Sequence, residues 1–215
     1  MTVQAKICGI TTLDAARTAI AGGASWLGFI HFGKSPRHLD LAAMAALMQA
    51  IRHDSVNIPL VAVVVDPDDA LLTGLTDTVK PDLIQLHGKE TPQRVDDIRH
   101  RLNIPVIKAL SIAEAADLTH ADDYVAADYL MFDAKAPAGA DMPGGLGLSF
   151  DWSLMRGYSG AKPWFLAGGL TPDNVAEAVR ISGARRVDVS SGVESAPGIK
   201  DPQRISDFLN AVKAL

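Results

Sequence analysis

The feature that most constrains this chain is an alternation that runs its whole length. Eight short, β-prone apolar runs, Val3 to Cys8, Ser25 to His31, Leu60 to Val65, Leu83 to Leu86, Val106 to Leu110, Tyr129 to Asp133, Trp164 to Ala167 and Arg186 to Ser190, are separated by longer stretches of helical periodicity. Those stretches are Thr12 to Ala21, Leu41 to Arg52, Pro67 to Thr78, Pro92 to Leu102, Ile112 to Thr119, Pro172 to Ser182 and Pro202 to Ala214; the sixth unit has only Phe150 to Met155 for its helix. Parallel strands need a crossover of a dozen or more residues, usually a helix, so repeated βα units imply a parallel sheet. An open doubly wound sheet would place a glycine fingerprint after its first strand, but here that strand ends Cys8-Gly9-Ile10-Thr11. The expected fold is therefore α/β, a parallel eight-stranded (β/α)8 TIM barrel forming one domain over residues 1–215.

Several helix starts are written in the sequence. Thr91-Pro92, Thr171-Pro172 and Asp201-Pro202 each set a capping side chain before a proline at the first helical position.

Composition narrows the partners. A formal charge of −5 and a pI near 5.6 argue against a phosphate-backbone binder, which gathers Lys and Arg on one face. The opening MTVQAKICG has neither the basic stretch nor the apolar core of a signal peptide, and no apolar run reaches the roughly 18 residues of a membrane span. The single cysteine, Cys8, excludes an internal disulfide. A cytoplasmic protein with a small-molecule ligand, no nucleic acid and no membrane is expected, as a monomer or homodimer.

In a barrel of this kind chemistry gathers where strands end. The ends carry Cys8; His31 with Lys34 and Arg37 beyond; Asp66; Gln85 and His87; Lys108; Asp133; Gly168 and Gly169; and Asp188 with Ser190 and Ser191. Three glycine-rich segments, Gly144-Gly145-Leu146-Gly147, Gly168-Gly169 and Ser190-Ser191-Gly192, follow strands six to eight, where backbone N–H groups can approach a phosphate. Any one of these glycines could instead serve only a left-handed turn. Cys8 reads as a small buried hydrophobe or as a base or nucleophile, and Asp133 as a helix cap, an ion-pair partner or a general acid. Arg37 could clamp a carboxylate through two parallel hydrogen bonds or be a loop charge. His31, His38 and His87 lack metal-ligand spacing, so no metal is expected, and His53, His100 and His120 read as surface residues.

Taken together, Lys6-Ile7-Cys8-Gly9, Ser35-Pro36-Arg37, Gln85-Leu86-His87-Gly88, Phe132-Asp133, Leu166-Ala167-Gly168-Gly169-Leu170 and Asp188-Val189-Ser190-Ser191-Gly192-Val193-Glu194 resemble the phosphoribosylanthranilate isomerase family of tryptophan biosynthesis in order and spacing, with the likeness continuing to Gly198-Ile199-Lys200-Asp201. The resemblance implies a cofactor-free, metal-free Amadori rearrangement of an aminoaldose phosphate to an aminoketose phosphate. It implies Asp133 as the general acid that opens the furanose ring and Cys8 as the base that removes the proton from sugar carbon 2. It further implies Arg37 on the anthranilate carboxylate; Gly147, Gly168, Gly169, Ser190, Ser191 and Gly192 around the phosphate; and Gln85, His87 and Asp188 lining the pocket. His31, Gly33 and Leu146 depart from the family pattern, which favours aromatic residues and proline before Ser35 and a threonine at the loop position of Leu146. A ribotide isomerase barrel would carry an aspartate where this chain has Cys8. A barrel kept only for binding would need neither a thiol base nor an opposed carboxylic acid.

Overall fold

The strands close in sequence order. In the computed structural model, which describes residues 2–54, 57–137, 139–140 and 144–215, β1 (Gln4–Cys8), β2 (Trp26–His31), β3 (Leu60–Val64), β4 (Leu83–Leu86), β5 (Val106–Ile112), β6 (Tyr129–Ala134), β7 (Trp164–Leu166) and β8 (Arg186–Val189) pair in parallel, and β8 returns to β1. The closing register sets Lys6 opposite Asp188, while β1 sets Cys8 opposite Gly28 on its other side. A closed barrel leaves no unpaired edge among these strands.

Strand side chains alternate between two cores. Ile7, Leu27, Phe29, Val64, Leu130, Phe132, Leu166 and Val187 face outward and pack with the helices in one cluster. Trp26, Val61, Val63, Leu83, Ile107, Met131 and Phe165 face inward and form another. Trp26 and Phe165 meet edge to face with centroids 5.0 Å apart, and Tyr129 lies 5.8 Å from Phe165. These rings fill the barrel floor; removing one from a packed core costs roughly 3–5 kcal/mol. The polar groups of the cleft stand above them, toward the strand C-termini.

The outer layer is α1 (Leu13–Ala21), α2 (Leu41–His53), α3 (Asp69–Gly74), α4 (Pro92–Leu102), α5 (Val175–Ser182) and α6 (Pro202–Lys213). Two of the three proline starts hold: Thr91 Oγ1 accepts from the Arg94 amide, and the Asp201 carboxylate accepts from the amides of Gln203 and Arg204. At Thr171-Pro172 the helix begins later, at Val175, because Asn174 ties the turn by accepting from the Thr171 amide and donating to the Gly169 carbonyl. The expected third helix gives way to π-helix at Leu75–Val79 and stops at Lys80, which is left-handed. The fifth is displaced: β5 runs on to Ile112, and a 3₁₀ segment, Ala115–Asp123, follows it. The sixth is a 3₁₀ turn, Trp152–Gly157, capped by Asp151. An unexpected hairpin, β9 (Glu194–Ala196) with β10 (Ile199–Lys200), turns through Gly198 at φ 83° and sets Glu194 beside Lys200.

Candidate active site

The C-terminal mouth of the barrel is a cleft of about 840 Å³, open solvent at its mouth included. Cys8, Arg37, Gln85, His87, Asp133, Gly147, Gly168, Gly169, Asp188, Ser190, Ser191 and Gly192 all line it. Four strand-end candidates do not. Lys108 points outward, since it alternates with inward-facing Ile107 and Ala109, and its Nζ is 2.6 Å from buried Glu90. Asp66 accepts from the Lys89 amide, at φ 45°, and helps shape the loop that carries His87. His31 is 2.8 Å from the Leu39 carbonyl and lies tilted against His38, whose Nδ1 accepts from the Phe32 amide; these bonds shape the loop around Arg37. Lys34 is exposed on that loop. His53, His100 and His120 are exposed. Among the described residues no group of three His, Cys, Asp or Glu side chains could hold a metal.

On one wall stands Asp133, nearly buried at the end of β6. Its Oδ1 accepts from the Ala134 amide, and its Oδ2 lies 3.2 Å from His87 Nε2. His87 Nδ1 is 2.8 Å from Gln85 Nε2. With the Gln85 amide donating to Nδ1, the imidazole carries its proton on Nε2 and donates to Asp133. Turning the amide over reverses both bonds, so the aspartate holds the proton and donates to Nε2. The same heavy atoms thus serve Asp133 in either protonation state. Gly144 closes this wall: a Cβ there would lie 2.6 Å from His87 Nε2 and 2.7 Å from Asp133 Oδ2.

The facing wall is built from β1, β8 and the hairpin. Cys8 is buried, on the same face of β1 as Lys6, which donates to Asp188 Oδ1 at 2.7 Å. Burial pushes the thiol above its ordinary range, with Lys6 pulling the other way. Arg37 is also buried, and its expected two-bond fork is already engaged: Nε and Nη2 donate to Glu194 at 2.7 and 2.8 Å. Nη2 also reaches the Gly145 carbonyl at 3.5 Å, while Nη1 donates no hydrogen bond among the described residues. Lys200 donates to Glu194 at 2.6 Å and to the Ser190 carbonyl and hydroxyl. Burial would raise the Glu194 carboxyl, but Arg37 and Lys200 hold it below the usual carboxylate range. Burial pulls the Lys200 ammonium down despite Glu194, with nearby Arg37 adding a little in the same direction.

Between the walls lie the glycine turns. Gly147, Gly168 and Gly169 take φ of 73°, 85° and 63°, which few other residues accept. A Cβ on Gly168 would also meet the Ala134 amide at 2.8 Å. The amides of Gly168 and Gly169 donate to no acceptor among the described residues, so they are available to a ligand.

Sequence reasoning assigned no role to Lys6, Glu194 or Lys200. Lys6 was accessible by strand period alone, since residues 6 and 8 share a face. Glu194 and Lys200 depend on a hairpin too short to show a strand pattern.

A closed parallel barrel with turns suited to a phosphate and two opposed titratable side chains defines a sugar-phosphate-handling (β/α)8 enzyme class. Comparison with known proteins narrows it. A sequence model of the N-(5'phosphoribosyl)anthranilate (PRA) isomerase family matches residues 5–211, and the chain belongs to that family. The N-(5'-phosphoribosyl)anthranilate isomerase of Caulobacter sp. strain K31 is 56% identical over 98% of this chain and 99% of its own length; that of Rhodospirillum rubrum is 52% identical over 97% and 96%. The crystal structure of phosphoribosyl anthranilate isomerase from Thermotoga maritima superposes with a TM-score of 0.86 at 33% identity, covering both chains fully. A phosphoribosyl anthranilate isomerase in complex with reduced 1-(o-carboxyphenylamino)-1-deoxyribulose 5-phosphate gives 0.83 at 30% identity, again over both full chains.

Proposed function

We propose that this chain isomerises N-(5'-phosphoribosyl)anthranilate to 1-(2-carboxyphenylamino)-1-deoxyribulose 5-phosphate, with Asp133 as general acid and Cys8 as general base. The observation that carries this reading is the placement of these two groups on facing walls of one cleft whose floor is sealed. Asp133 protonates the furanose ring oxygen, and the ring opens to a protonated Schiff base. Cys8 as thiolate then takes the proton from carbon 2. The electrons of that C–H bond form the enolamine and discharge the iminium, and tautomerisation gives the ketone. Each step moves a proton, so two positioned titratable groups supply the chemistry, each worth about 10²–10⁴ in rate.

The 5'-phosphate is assigned to Gly147, Gly168, Gly169, Ser191 and Gly192, with the free amides of Gly168 and Gly169 as donors. The aromatic ring is assigned to the apolar side of the cleft, lined by Ile30, Phe32, Val63 and Leu146. Leu146 brings no hydroxyl but adds apolar surface there. Arg37 meets the substrate carboxylate through the Nη1 that Glu194 leaves free. The product's ketose phosphate and the absence of a membrane-spanning helix among the described residues fit a cytoplasmic biosynthetic role.

The test is loss of phosphoribosylanthranilate fluorescence in chelator-treated buffer by the wild type, Asp133→Asn and Cys8→Ala. Rapid loss by the wild type and at least about a hundredfold slower loss by both variants is expected. Full activity in either variant would remove that residue from its role.

A further inference from the structure

The reading above leaves Lys6 without a use, yet its placement is specific. Lys6 is wholly buried inside the barrel, two residues before Cys8 on β1 and hence on the same face. Its ammonium and the Cys8 sulfur converge on one point: a Cβ on Gly28 would lie 3.1 Å from Lys6 Nζ and 2.8 Å from Cys8 Sγ. A side chain at that position of β2 would crowd both ends, and glycine leaves the space between them open. On its other side the ammonium is held by Asp188 at 2.7 Å. Burial opposes the charge on Lys6, but Asp188 and Cys8 outweigh burial, and the ammonium stays protonated.

The charge count of this wall points the same way. Lys6, Arg37 and Lys200 are buried cations, whereas the buried carboxylates paired with them are Asp188 and Glu194. One positive charge is uncompensated, and a buried surplus of that kind is costly unless an anion joins it. Cys8, on the same wall, can supply that anion when its thiol ionises. Across the cleft the remaining titratable groups are His87 and Asp133, which engage one another.

We propose that Lys6 is a positioning residue for the base: a fixed counter-cation that holds the Cys8 thiolate ready for proton abstraction, with Asp188 limiting how far it does so. The proposal rests on Cys8 being the base. When the thiolate takes the carbon-2 proton it becomes a neutral thiol, the iminium is discharged, and Lys6 returns to Asp188 alone. Charge is conserved without moving a heavy atom. Asp188 keeps the ammonium from stabilising the thiolate so strongly that it loses its basicity, which must stay near the working pH.

Because Cys8 is the chain's single cysteine, its ionisation can be read directly, by thiolate ultraviolet absorbance and by iodoacetamide alkylation against pH. Lys6→Met is expected to move the thiol midpoint upward, slow alkylation about tenfold at neutral pH, and lower kcat with little change in KM, the loss recovering as pH rises. Lys6→Arg should restore most of the alkylation rate. Asp188→Asn should move the thiol midpoint the opposite way, which a merely structural lysine would not produce. If Lys6→Met does not fold, Lys6→Gln, an uncharged side chain that still donates to Asp188, replaces it and should also alkylate slowly. An unmoved thiol midpoint in whichever of these two folds, or same-direction shifts from Lys6 and Asp188 substitution, would overturn the proposal. Retained turnover in Cys8→Ala would instead overturn the base assignment, whatever the titration shows.

Discussion

The two walls of the cleft handle charge in opposite ways. On the β1–β8 side, Lys6, Arg37 and Lys200 are ion-paired with Asp188 and Glu194. On the β4–β6 side, Asp133 touches His87, which in turn touches Gln85, a side chain that never carries charge. The difference fits the roles proposed for Cys8 and Asp133. A base must start without its proton, and neighbouring cations favour that; an acid must start with its proton, and a permanent cation would strip it away. A buried arginine or lysine beside Asp133 would defeat the site as surely as its absence beside Cys8.

The largest effect is expected where the ion-paired wall loses its hub. Glu194→Ala leaves Arg37 and Lys200 facing each other without their shared carboxylate, and should cost about 3–5 kcal/mol of stability by denaturant unfolding. The pH dependence carries a definite sign. Glu194 is held below its ordinary range in the folded state, so its contribution is complete above the ordinary carboxylate range. It is lost as pH falls through that range to the folded value. The variant should therefore lose part of the acid-side fall in stability that the wild type shows. A wild-type acid profile retained in Glu194→Ala would mean that the hairpin is not tied down by this carboxylate.

Next comes a substitution that makes the acid wall resemble the base wall. His87→Lys places a permanent cation beside Asp133 and favours its ionised form, so turnover at neutral pH should fall about a hundredfold and recover in part on acidification. His87→Gln, which keeps a neutral donor, should fall by much less. Equal losses in the two would show that the contact matters for shape rather than for its proton.

The same contrast explains what could be read from the sequence. The barrel was legible because strand and helix periods are local and repeat eight times, and the acid wall because Gln85, His87 and Asp133 all stand at strand ends. Lys108 misled because whether a strand-end residue points in or out depends on register, and a one-residue step reverses it; Asp66 misled because it lies past β3 in a left-handed turn tied to Lys89. The ion-paired wall was largely hidden. Glu194 and Lys200 reach Arg37 only through a short hairpin, and nothing local marks residue 194 as the partner of residue 37. The late start of α5 was hidden as well, because Asn174 binding the Gly169 carbonyl pre-empts the cap that Thr171-Pro172 advertises.

The smallest effect separates two adjacent serines that differ in which region claims them. Ser190 accepts from Lys200 at 3.3 Å, and its hydroxyl would lie 3.1 Å from a Cβ on Gly9, so it belongs to the ion-paired wall. Ser191 lies toward the glycine turns, its hydroxyl 3.6 Å from where a Cβ on Gly147 would be. A hydroxyl that meets the phosphate is worth about 1 kcal/mol, so Ser191→Ala should raise KM severalfold at nearly constant kcat, and inorganic phosphate should inhibit it correspondingly less. Ser190→Ala removes a neutral acceptor from an ammonium that keeps Glu194 and the Ser190 carbonyl, and should change KM less than Ser191→Ala does. The reverse order would put the phosphate against the charged wall, where its negative charge rather than the Cys8 thiolate would balance the surplus cation.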